Sequence, residues 1–289
     1  MRTQEKRATR FRSIQTSLLF VIVPAVIISM AVLSLMGYLS SKAIIQTSAG
    51  TEMSQCLSVA MGSIEMSLSN NRMVAETMAR GVEAIQRQAV KGDQTASDWD
   101  AAAYQEILTS FVGSNPETFG GGIWFEPYQY RPEQRYFSPY CMRQNGAVTY
   151  VDNYSLGEGV YYTDQDWYTN AANTTQKSVW SAPYYDEFAQ ISMVTSSAPI
   201  YDETGRLLGV ATADIDLTQM QQMVLSLDVV ANGRAFLIDD TGVYIADEDS
   251  EKLLSANILE DDNPSFAALG RQILSQQEGS GIGRCTASA

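Results

Sequence analysis

The feature that most constrains this chain is an uncharged, largely apolar run over residues 13–41. A transmembrane helix needs roughly 20 mostly apolar residues, so this run is long enough to cross a hydrocarbon core. Residues 1–12 carry five basic side chains and one acidic side chain, and the positive-inside rule keeps such a leader in the cytoplasm. The sequence therefore predicts a cytoplasmic basic leader at 1–12, a single transmembrane helix at 13–41 in the cell (inner) membrane, and a main domain outside the cytoplasm.

A cleaved signal peptide is the alternative interpretation of the same run, since it too has a basic start and an apolar middle. The apolar middle of a signal peptide is usually about 7–15 residues long and ends at a small-residue cleavage site. The run in this chain is longer, which favours an uncleaved membrane anchor.

Composition limits what the exported part can do. Without residues 1–12 the chain has 14 basic and 32 acidic residues, a net charge of −18. Such a surface repels nucleic acid and anionic lipid, so we expect no nucleic-acid partner. The charge is compatible with a cationic ligand and equally with simple solubility. The three cysteines, Cys56, Cys141 and Cys285, are far apart and give neither a disulfide framework nor a metal-binding spacing.

Catalytic signatures are missing from the sequence. The chain has no histidine, which is the commonest general base and metal ligand. The serines at 196 and 197 lack the Gly-x-Ser-x-Gly elbow of hydrolases. The triple glycine at 120–122 precedes a predicted strand, whereas a phosphate-binding loop opens a helix. We therefore expect a protein that is not an enzyme and has no cofactor or metal, with an exported hydrolase as the enzymatic alternative.

A long helix is predicted after the membrane run, as a stalk over residues 42–92. Apolar and small residues alternate at spacings of four and three, which is a heptad pattern. The positions are Leu57, Met61, Ile64, Leu68, Asn71, Ala75, Met78, Val82, Ile85 and Ala89. The helix either pairs with a second copy, in which case Asn71 would fix the register of a homodimer, or packs along its own domain.

Short β-type runs separated by turn residues follow Pro116, after a second predicted helix at 97–109. The predicted strands are Gly122–Phe125, Tyr136–Phe137, Val148–Val151, Ile191–Ala198 and Leu207–Ile215. Residues 201–205 form the turn between the last two, and Asp216 caps a helix over 217–227. The pattern indicates an α+β fold with an antiparallel sheet.

A second, smaller module is predicted at 231–289. The Asp-x-Thr-Gly turn at 202–205 returns at 239–242, an offset of 37 residues, although turn chemistry alone produces such motifs readily. One hairpin and one helix bury too little apolar surface to fold alone. We therefore expect a fragment or a truncated product, with a complete protein ending in a disordered tail as the alternative.

Aromatic residues concentrate in one region of the chain. Residues 124–185 hold 16 of the 28 aromatic side chains, interleaved with carboxylates. Aromatic rings and carboxylates together can hold an ammonium group, through the attraction of ring faces for cations and through charged hydrogen bonds. They can equally form the core of a small sheet domain.

Four segments in and after this region resemble the membrane-distal half of a double Cache sensor domain: 161–168, 180–186, 193–202 and 209–217. That family supplies the extracytoplasmic ligand-binding regions of bacterial chemoreceptors, sensor histidine kinases and membrane-bound cyclases or phosphatases. The resemblance implies a long N-terminal helix packed along two PAS-like modules. The distal module, which binds the ligand, corresponds to residues 93–230.

The resemblance also implies a set of ligand-binding positions. Carried over motif by motif, they are Tyr162, Gln165, Trp167, Tyr168, Tyr184, Asp186 and Asp214. Gln165 stands where amino-acid-binding members have an arginine, so the bidentate partner of a ligand carboxylate is missing. The retained acidic positions suit an amine.

The sequence thus predicts a membrane-anchored sensor of a small polar ligand, an amine or amino acid, with a preference for an ammonium group without an obligatory α-carboxylate. A membrane-anchored solute-binding or interaction protein without signalling output is the alternative.

Overall fold

A long N-terminal helix and an antiparallel sheet dominate this chain. The structure is a computed structural model that describes residues 14–91, 101–151, 154, 159–227 and 234–276. The predicted leader at 1–12, residues 97–100 of the second predicted helix, and Cys285 lie outside the described residues. The chain divides into two units, Met1–Cys56 and Leu57–Ala289.

Helix α1, Ile14–Lys91, carries the predicted membrane segment in its first part. The stretch Ile22–Lys42 has a mean hydropathy of 2.2, and none of it is buried within the described part of the chain. Because burying apolar side chains is favourable, a fully exposed apolar stretch of this length fits a lipid surrounding. One candidate membrane span is therefore present where the sequence predicts it.

In the second unit, α1 packs along its own domain. The heptad positions Ala75, Met78 and Val82 are fully buried, where they join one core with Tyr104 of the next helix and Ile123 of the sheet. For this heptad stripe, the structure therefore shows the second alternative: the stalk helix packs on its own domain. The homodimer stays a prediction that would need another face of the helix.

Asn71, the one polar heptad position, is used inside the chain. Its side chain is fully buried. Its Oδ1 accepts a hydrogen bond from Thr118 Oγ1 at 2.9 Å, and its Nδ2 donates to Ser67 O at 3.1 Å. Both ends of the amide are thus paired within one protomer, so Asn71 does not face a second copy.

We expect Asn71→Ala to lower the free energy of unfolding by about 1–3 kcal/mol, the cost of leaving a buried hydroxyl such as that of Thr118 without a partner. Urea unfolding followed by tryptophan fluorescence measures this change. The neighbouring Asn70→Ala is the control, because the Asn70 side chain makes an exposed hydrogen bond, donating to Glu117 Oε2 at 3.2 Å; the change should shift the free energy of unfolding by less than about 0.5 kcal/mol. Equal losses in the two variants would contradict the role assigned to Asn71.

The α+β class predicted from the sequence is confirmed, with more strands than expected. Helices α2 to α5 are Ala101–Ser114, Asp166–Ala172, Leu217–Leu225 and Pro264–Leu274. Strands β1 to β7 are Gly120–Phe125, Tyr140–Gln144, Ala147–Val151, Val179–Trp180, Tyr184–Asp186, Ile191–Tyr201 and Leu207–Asp216. They form one antiparallel sheet in the order β3-β2-β1-β7-β6-β4, and β5 also pairs with β6.

Two sequence expectations about the sheet are corrected by the structure. Tyr136–Phe137 is not a strand: Phe137 is buried in a ring cluster, stacked on Tyr130 with a centroid distance of 3.8 Å. The three glycines at 120–122 do not precede β1 but form its first half. Glycine is needed there because a Cβ on Gly120 would lie 2.1 Å from the Tyr140 hydroxyl, and a Cβ on Gly122 would lie 2.7 Å from the Trp124 indole.

The repeated Asp-x-Thr-Gly turn has the same hydrogen bonds at both places. Asp202 Oδ1 accepts from the backbone N of Thr204 at 2.8 Å and from that of Arg206 at 3.0 Å. Asp239 Oδ1 accepts in the same pattern, from Thr241 N at 2.9 Å and Val243 N at 2.9 Å. The second turn connects the two strands of a small hairpin, β8, Leu237–Ile238, and β9, Tyr244–Ala246.

The predicted cap of α4 is also confirmed, since Asp216 Oδ1 accepts from Thr218 N at 2.8 Å.

The two faces of the sheet have different neighbours, and this places the candidate site. Side chains alternate along β1: Ile123 and Phe125 join the core formed with α1 and α2. Trp124 points to the other face, where it packs with Trp167 of α3. The site lies on this second face.

Candidate ligand-binding site

Ten of the described residues line a small cavity between the sheet and α3. The cavity has about 220 Å³ of empty space, including its opening to solvent. Little of this space is wide enough for a water-sized molecule, and it has room for about one water. A ligand larger than water would therefore need the lining side chains to move apart.

Strand register brings the polar lining together. Thr195 of β6 lies directly opposite Asp214 of β7, and Thr212 precedes Asp214 by two residues on the same face. On β5, Tyr184 and Asp186 also share a face, while the intervening Tyr185 is exposed. Because β5 pairs with β6, the two carboxylates converge on one cavity from different strands.

Asp214 forms the first acidic position of the site. Its carboxylate is buried and accepts from the Tyr140 hydroxyl at 2.7 Å and from the Thr195 hydroxyl at 2.8 Å. Burial raises the pKa of Asp214 to about 7, since desolvation penalises the charged form. The two hydrogen bonds oppose this rise, and the nearby charge of Asp186 adds to it.

Asp186 forms the second acidic position. Its Oδ1 accepts from the Tyr154 hydroxyl at 2.5 Å and from the backbone N of Ala189 at 2.7 Å. Burial raises the pKa of Tyr154 far above its ordinary value, and the hydrogen bond to Asp186 adds to the rise. The phenol therefore stays neutral and continues to donate to the carboxylate.

Tryptophan rings form the apolar wall. The ring centroids of Trp124 and Trp167 are 4.7 Å apart, and the Trp124 Nε1–H donates to Thr212 Oγ1 at 2.8 Å. The backbone N–H of Gly122 donates to the same hydroxyl oxygen at 3.2 Å. These bonds hold the Trp124 indole against the sheet. The indole lines the same cavity as the two carboxylates.

The chemistry of this lining favours a small cation. Two carboxylates and several ring faces meet in one cavity, and no lysine or arginine is among the described residues that line it. Arg143 of β2 is occupied elsewhere: it donates to the backbone carbonyls of Thr118, Val112 and Asn115. Within the ranges that the structure describes, no cluster of three or more metal-ligating side chains occurs.

Four of the seven predicted site residues line the cavity: Trp167, Tyr184, Asp186 and Asp214. The structure places the other three outside the lining. The Tyr162 hydroxyl donates to Phe125 O at 2.5 Å and the Tyr168 hydroxyl to Glu126 Oε1 at 2.6 Å. Gln165 precedes α3, and its side chain donates to Tyr161 O at 3.4 Å.

Six lining residues were not predicted from the sequence: Trp124, Tyr140, Tyr154, Met193, Thr195 and Thr212. A signal for two of them was available. Thr212 lies on the face of Asp214 by simple alternation, and the predicted turn at 201–205 places Thr195 near Asp214 in the hairpin. Tyr140 and Tyr154 come from a strand and a segment that the sequence did not reveal.

Comparison with known proteins finds similarity in sequence to bacterial chemotaxis proteins. Residues 104–222 match the family described as "Methyl-accepting chemotaxis protein-like, first PDC sensor domain". The chemoreceptor McpC of Bacillus subtilis is 38% identical over 84 residues, which make up 29% of this chain and 13% of that protein. The chain spans less than a third of the length of each of the curated relatives it matches.

Solved structures share the fold. The extracellular domain of a protein described as the histidine kinase mmHK1S-Z3 has a TM-score of 0.59 at 20% identity, covering 74% of this chain and 76% of that one. The sensory domain of the Campylobacter jejuni chemoreceptor Tlp3 with isoleucine bound has a TM-score of 0.54 at 16% identity, covering 80% and 81%. At these identities the similarity concerns the fold.

Proposed function

We propose that this chain, whose residues 104–222 match a chemoreceptor-type PDC sensor family, anchors and carries the extracytoplasmic sensing part of a signalling protein, and that its ligand is a small ammonium compound. The observation that carries the proposal is the pair of buried carboxylates, Asp186 and Asp214, in an aromatic cavity with no basic residue among its described lining. Charged hydrogen bonds and cation–π attraction would both act on an ammonium group there.

The proposed topology has a basic leader at 1–12 in the cytoplasm and one crossing of the cell (inner) membrane at 13–41. The exposed apolar stretch Ile22–Lys42 supports this crossing, and the positive-inside rule supports its direction. The proposed domains are the stalk at 42–92, the ligand-binding module at 93–230 and the second module at 231–289.

No basic side chain that could pair with a ligand carboxylate is among the described residues lining the cavity, which favours an amine over an α-amino acid. The Campylobacter jejuni Tlp3 domain holds isoleucine, which has an ammonium and a carboxylate group. In this chain, Gln165 replaces the arginine expected from the family resemblance. A ligand carboxylate would then lie near two acidic side chains without a bidentate cation, which is unfavourable.

Signalling would require the ligand to bind one conformation more tightly than another. The domain contacts α1 through polar bonds that a movement of the sheet would disturb: the Ser178 hydroxyl donates to Glu76 Oε1 at 2.9 Å, and the backbone N of Tyr201 donates to Glu83 Oε1 at 3.1 Å. We propose that these contacts transmit the change to the helix.

The proposed homodimer uses a face of α1 other than the predicted heptad stripe. Val59, Met66 and Met73 recur every seven residues, and all three are more than half exposed in one protomer. Seven-residue spacing of apolar side chains is the pattern with which helices pair. A second copy, brought to the same side by the membrane anchor, would cover them.

A matched set of probes tests the ligand class. Propylamine, 1-propanol and propionate share a three-carbon chain and differ in the charge of the head group, and L-valine adds the α-carboxylate. Calorimetric titration of the full chain in lipid nanodiscs at pH 8 should give binding for propylamine at least about tenfold tighter than for the other three, because a hydrogen bond to a charged group contributes about 1.5–3 kcal/mol.

The control is Asp216→Asn, a change on the same strand but outside the cavity lining, at a capping position where asparagine serves about as well as aspartate. It should bind propylamine like the unchanged protein. Binding of propionate in preference to propylamine, or of L-valine more tightly than propylamine, would contradict the proposed ligand class.

A further inference from the structure

The hydroxyl groups around Asp214 form a chain with a defined direction. A hydroxyl has one hydrogen to donate, and Thr195 uses it for Asp214 Oδ1 at 2.8 Å. The contact of 2.8 Å between the Tyr184 hydroxyl and Thr195 Oγ1 must then run from the tyrosine to the threonine. The Tyr140 hydroxyl donates to Asp214 Oδ2 at 2.7 Å. With Asp214 ionised, every hydroxyl of the chain therefore points toward its carboxylate.

A proton on Asp214 breaks this arrangement. The protonated oxygen gains a hydrogen to donate and loses acceptor capacity; where that hydrogen points at Tyr140 or Thr195, the hydroxyl there accepts instead and turns its own hydrogen elsewhere. If Thr195 turns, Tyr184 must turn as well, because the two share one hydrogen bond. The site then presents a neutral acid and outward-facing hydroxyl donors where it had presented a negative acceptor.

Among the residues that the structure describes, no cation lies beside Asp214 to hold it ionised. The titratable groups that face it are Tyr140 from β2, Tyr154 after β3, and Tyr184 and Asp186 from β5. The remaining neighbours in the lining, on β1, β6, β7 and α3, are tryptophan, methionine and threonine. Burial raises the pKa of Asp214 to about 7, and it raises the pKa of Tyr140 and Tyr184 well above the ordinary value. Near neutral pH, Asp214 therefore titrates while these two phenols stay protonated.

We propose that Thr195 is the positioning residue of this site, and that a proton and the ammonium group of the ligand compete for Asp214. The inference rests on the proposed function and goes beyond it. Thr195 would act through Asp214 and Tyr184, aligning one as acceptor and the other as donor. The sensor would then respond to its ligand less strongly as the surroundings become acidic.

The pH profile of the unchanged protein tests the competition without any variant. An alkylammonium keeps its charge up to about pH 10, so over pH 5.5–8.5 the probe itself does not titrate. Only the ionised fraction of Asp214 would bind, and the apparent dissociation constant rises as that fraction falls. Calorimetric titration of propylamine into the full chain in nanodiscs should show affinity that is constant above about pH 8 and falls roughly tenfold per pH unit below about pH 6.5.

Two substitutions test the role of Thr195. Thr195→Val removes the hydroxyl at nearly constant size, so Asp214 loses one donor that favours its charged form. The midpoint of the pH profile should move upward, and propylamine affinity at pH 7 should fall about tenfold. Thr195→Ser keeps the hydroxyl and should keep the midpoint. Tryptophan fluorescence checks that both variants fold.

The outcomes separate this inference from the proposed function. Propylamine binding with a flat pH profile would overturn the competition while leaving the ammonium ligand class intact. A folded Thr195→Val variant with an unchanged midpoint would overturn the positioning role. Failure of propylamine to bind at pH 8.5, where Asp214 is ionised, would overturn both the ligand class and the inference built on it.

Discussion

Replacing Asp214 by asparagine is expected to weaken propylamine binding about 100-fold at pH 8, because the ligand loses its hydrogen bond to a charged acceptor, worth about 1.5–3 kcal/mol. The same substitution should stabilise the folded protein at that pH. Asparagine can still accept from one hydroxyl and donate to the other, so the loss of affinity should not come from a collapsed site.

The stabilising effect follows from the pKa of Asp214, which is about 7 in the folded protein and about 3.9 in an unfolded chain. Between these values the folded state binds more protons, so the free energy of unfolding falls as pH rises through this window. Above pH 7 the buried charge costs on the order of 4 kcal/mol, at about 1.4 kcal/mol per pKa unit. Asp214→Asn removes this cost at pH 8 and changes little near pH 4, where the aspartate is protonated.

Urea unfolding of both proteins at pH 4.5 and pH 8 measures the difference. Asp202, whose pKa is lowered mainly by the hydrogen bond from the Thr204 side chain, contributes a slope of the opposite sign only below about pH 4.5, and it is present in both proteins. Asp216→Asn serves again as the matched control and should show no such difference between the two pH values. An equal effect of Asp214→Asn at both pH values would contradict the assignment of a buried, proton-binding carboxyl.

Gly209→Ala should cause the largest loss of stability of any single methyl addition to the sheet. Gly209 pairs with Phe125 across β7 and β1, and a Cβ there would lie 2.2 Å from the carbonyl oxygen of Trp124 and 2.8 Å from the Cα of Phe125. Both atoms are backbone, so no rotamer change relieves the clash. We expect a loss of about 2–4 kcal/mol in the free energy of unfolding, together with weaker propylamine binding, since β1 also carries Trp124.

Gly81→Ala is the control for this prediction. Gly81 lies inside α1, and nothing comes within 4 Å of a Cβ at this position. Alanine has the higher helix propensity, so this variant should be more stable by up to about 1 kcal/mol. The midpoints of urea unfolding of the two variants, measured side by side, test this difference in stability. A Gly209→Ala variant as stable as Gly81→Ala would show that β1 and β7 can separate without loss of stability.

Local chemistry explains which elements were predicted correctly. The apolar run at 13–41, the heptad spacing through Ala75 and Met78, and the turn at 202–205 each depend on residues close together in sequence. The strands flanking that turn, β6 and β7, were predicted for the same reason, since alternation and a tight turn define a hairpin. Strands β4 and β5 were missed because they are only two and three residues long and depend on their neighbours for stability. Strand β2 is as long as β3 but ends in Arg143 and Gln144, and its sequence does not read as a β-type run.

The residues predicted for the candidate site also fall into two groups, those that line the cavity and those that do not. Asp214 and Asp186 were found through the family resemblance, and both line the cavity. Tyr162 and Tyr168 belong to the same motif, yet their hydroxyl groups bond to Phe125 O and Glu126 away from the lining. Sequence spacing does not tell whether such a side chain lines the cavity, because the direction in which a tyrosine hydroxyl points depends on which acceptor the rest of the fold places near it.

The sequence by itself determined the apolar run long enough to span a membrane, the long amphipathic helix, the α+β class and the acidic, histidine-free character of the chain, because each is a property of composition or of short-range periodicity. Only the tertiary structure decided that Asn71 faces Thr118 in its own protomer, and that Thr195, Tyr140 and Asp214 form one hydrogen-bonded group. These contacts join residues between 19 and 74 positions apart. They arise from strand register and helix packing, which the whole core stabilises together.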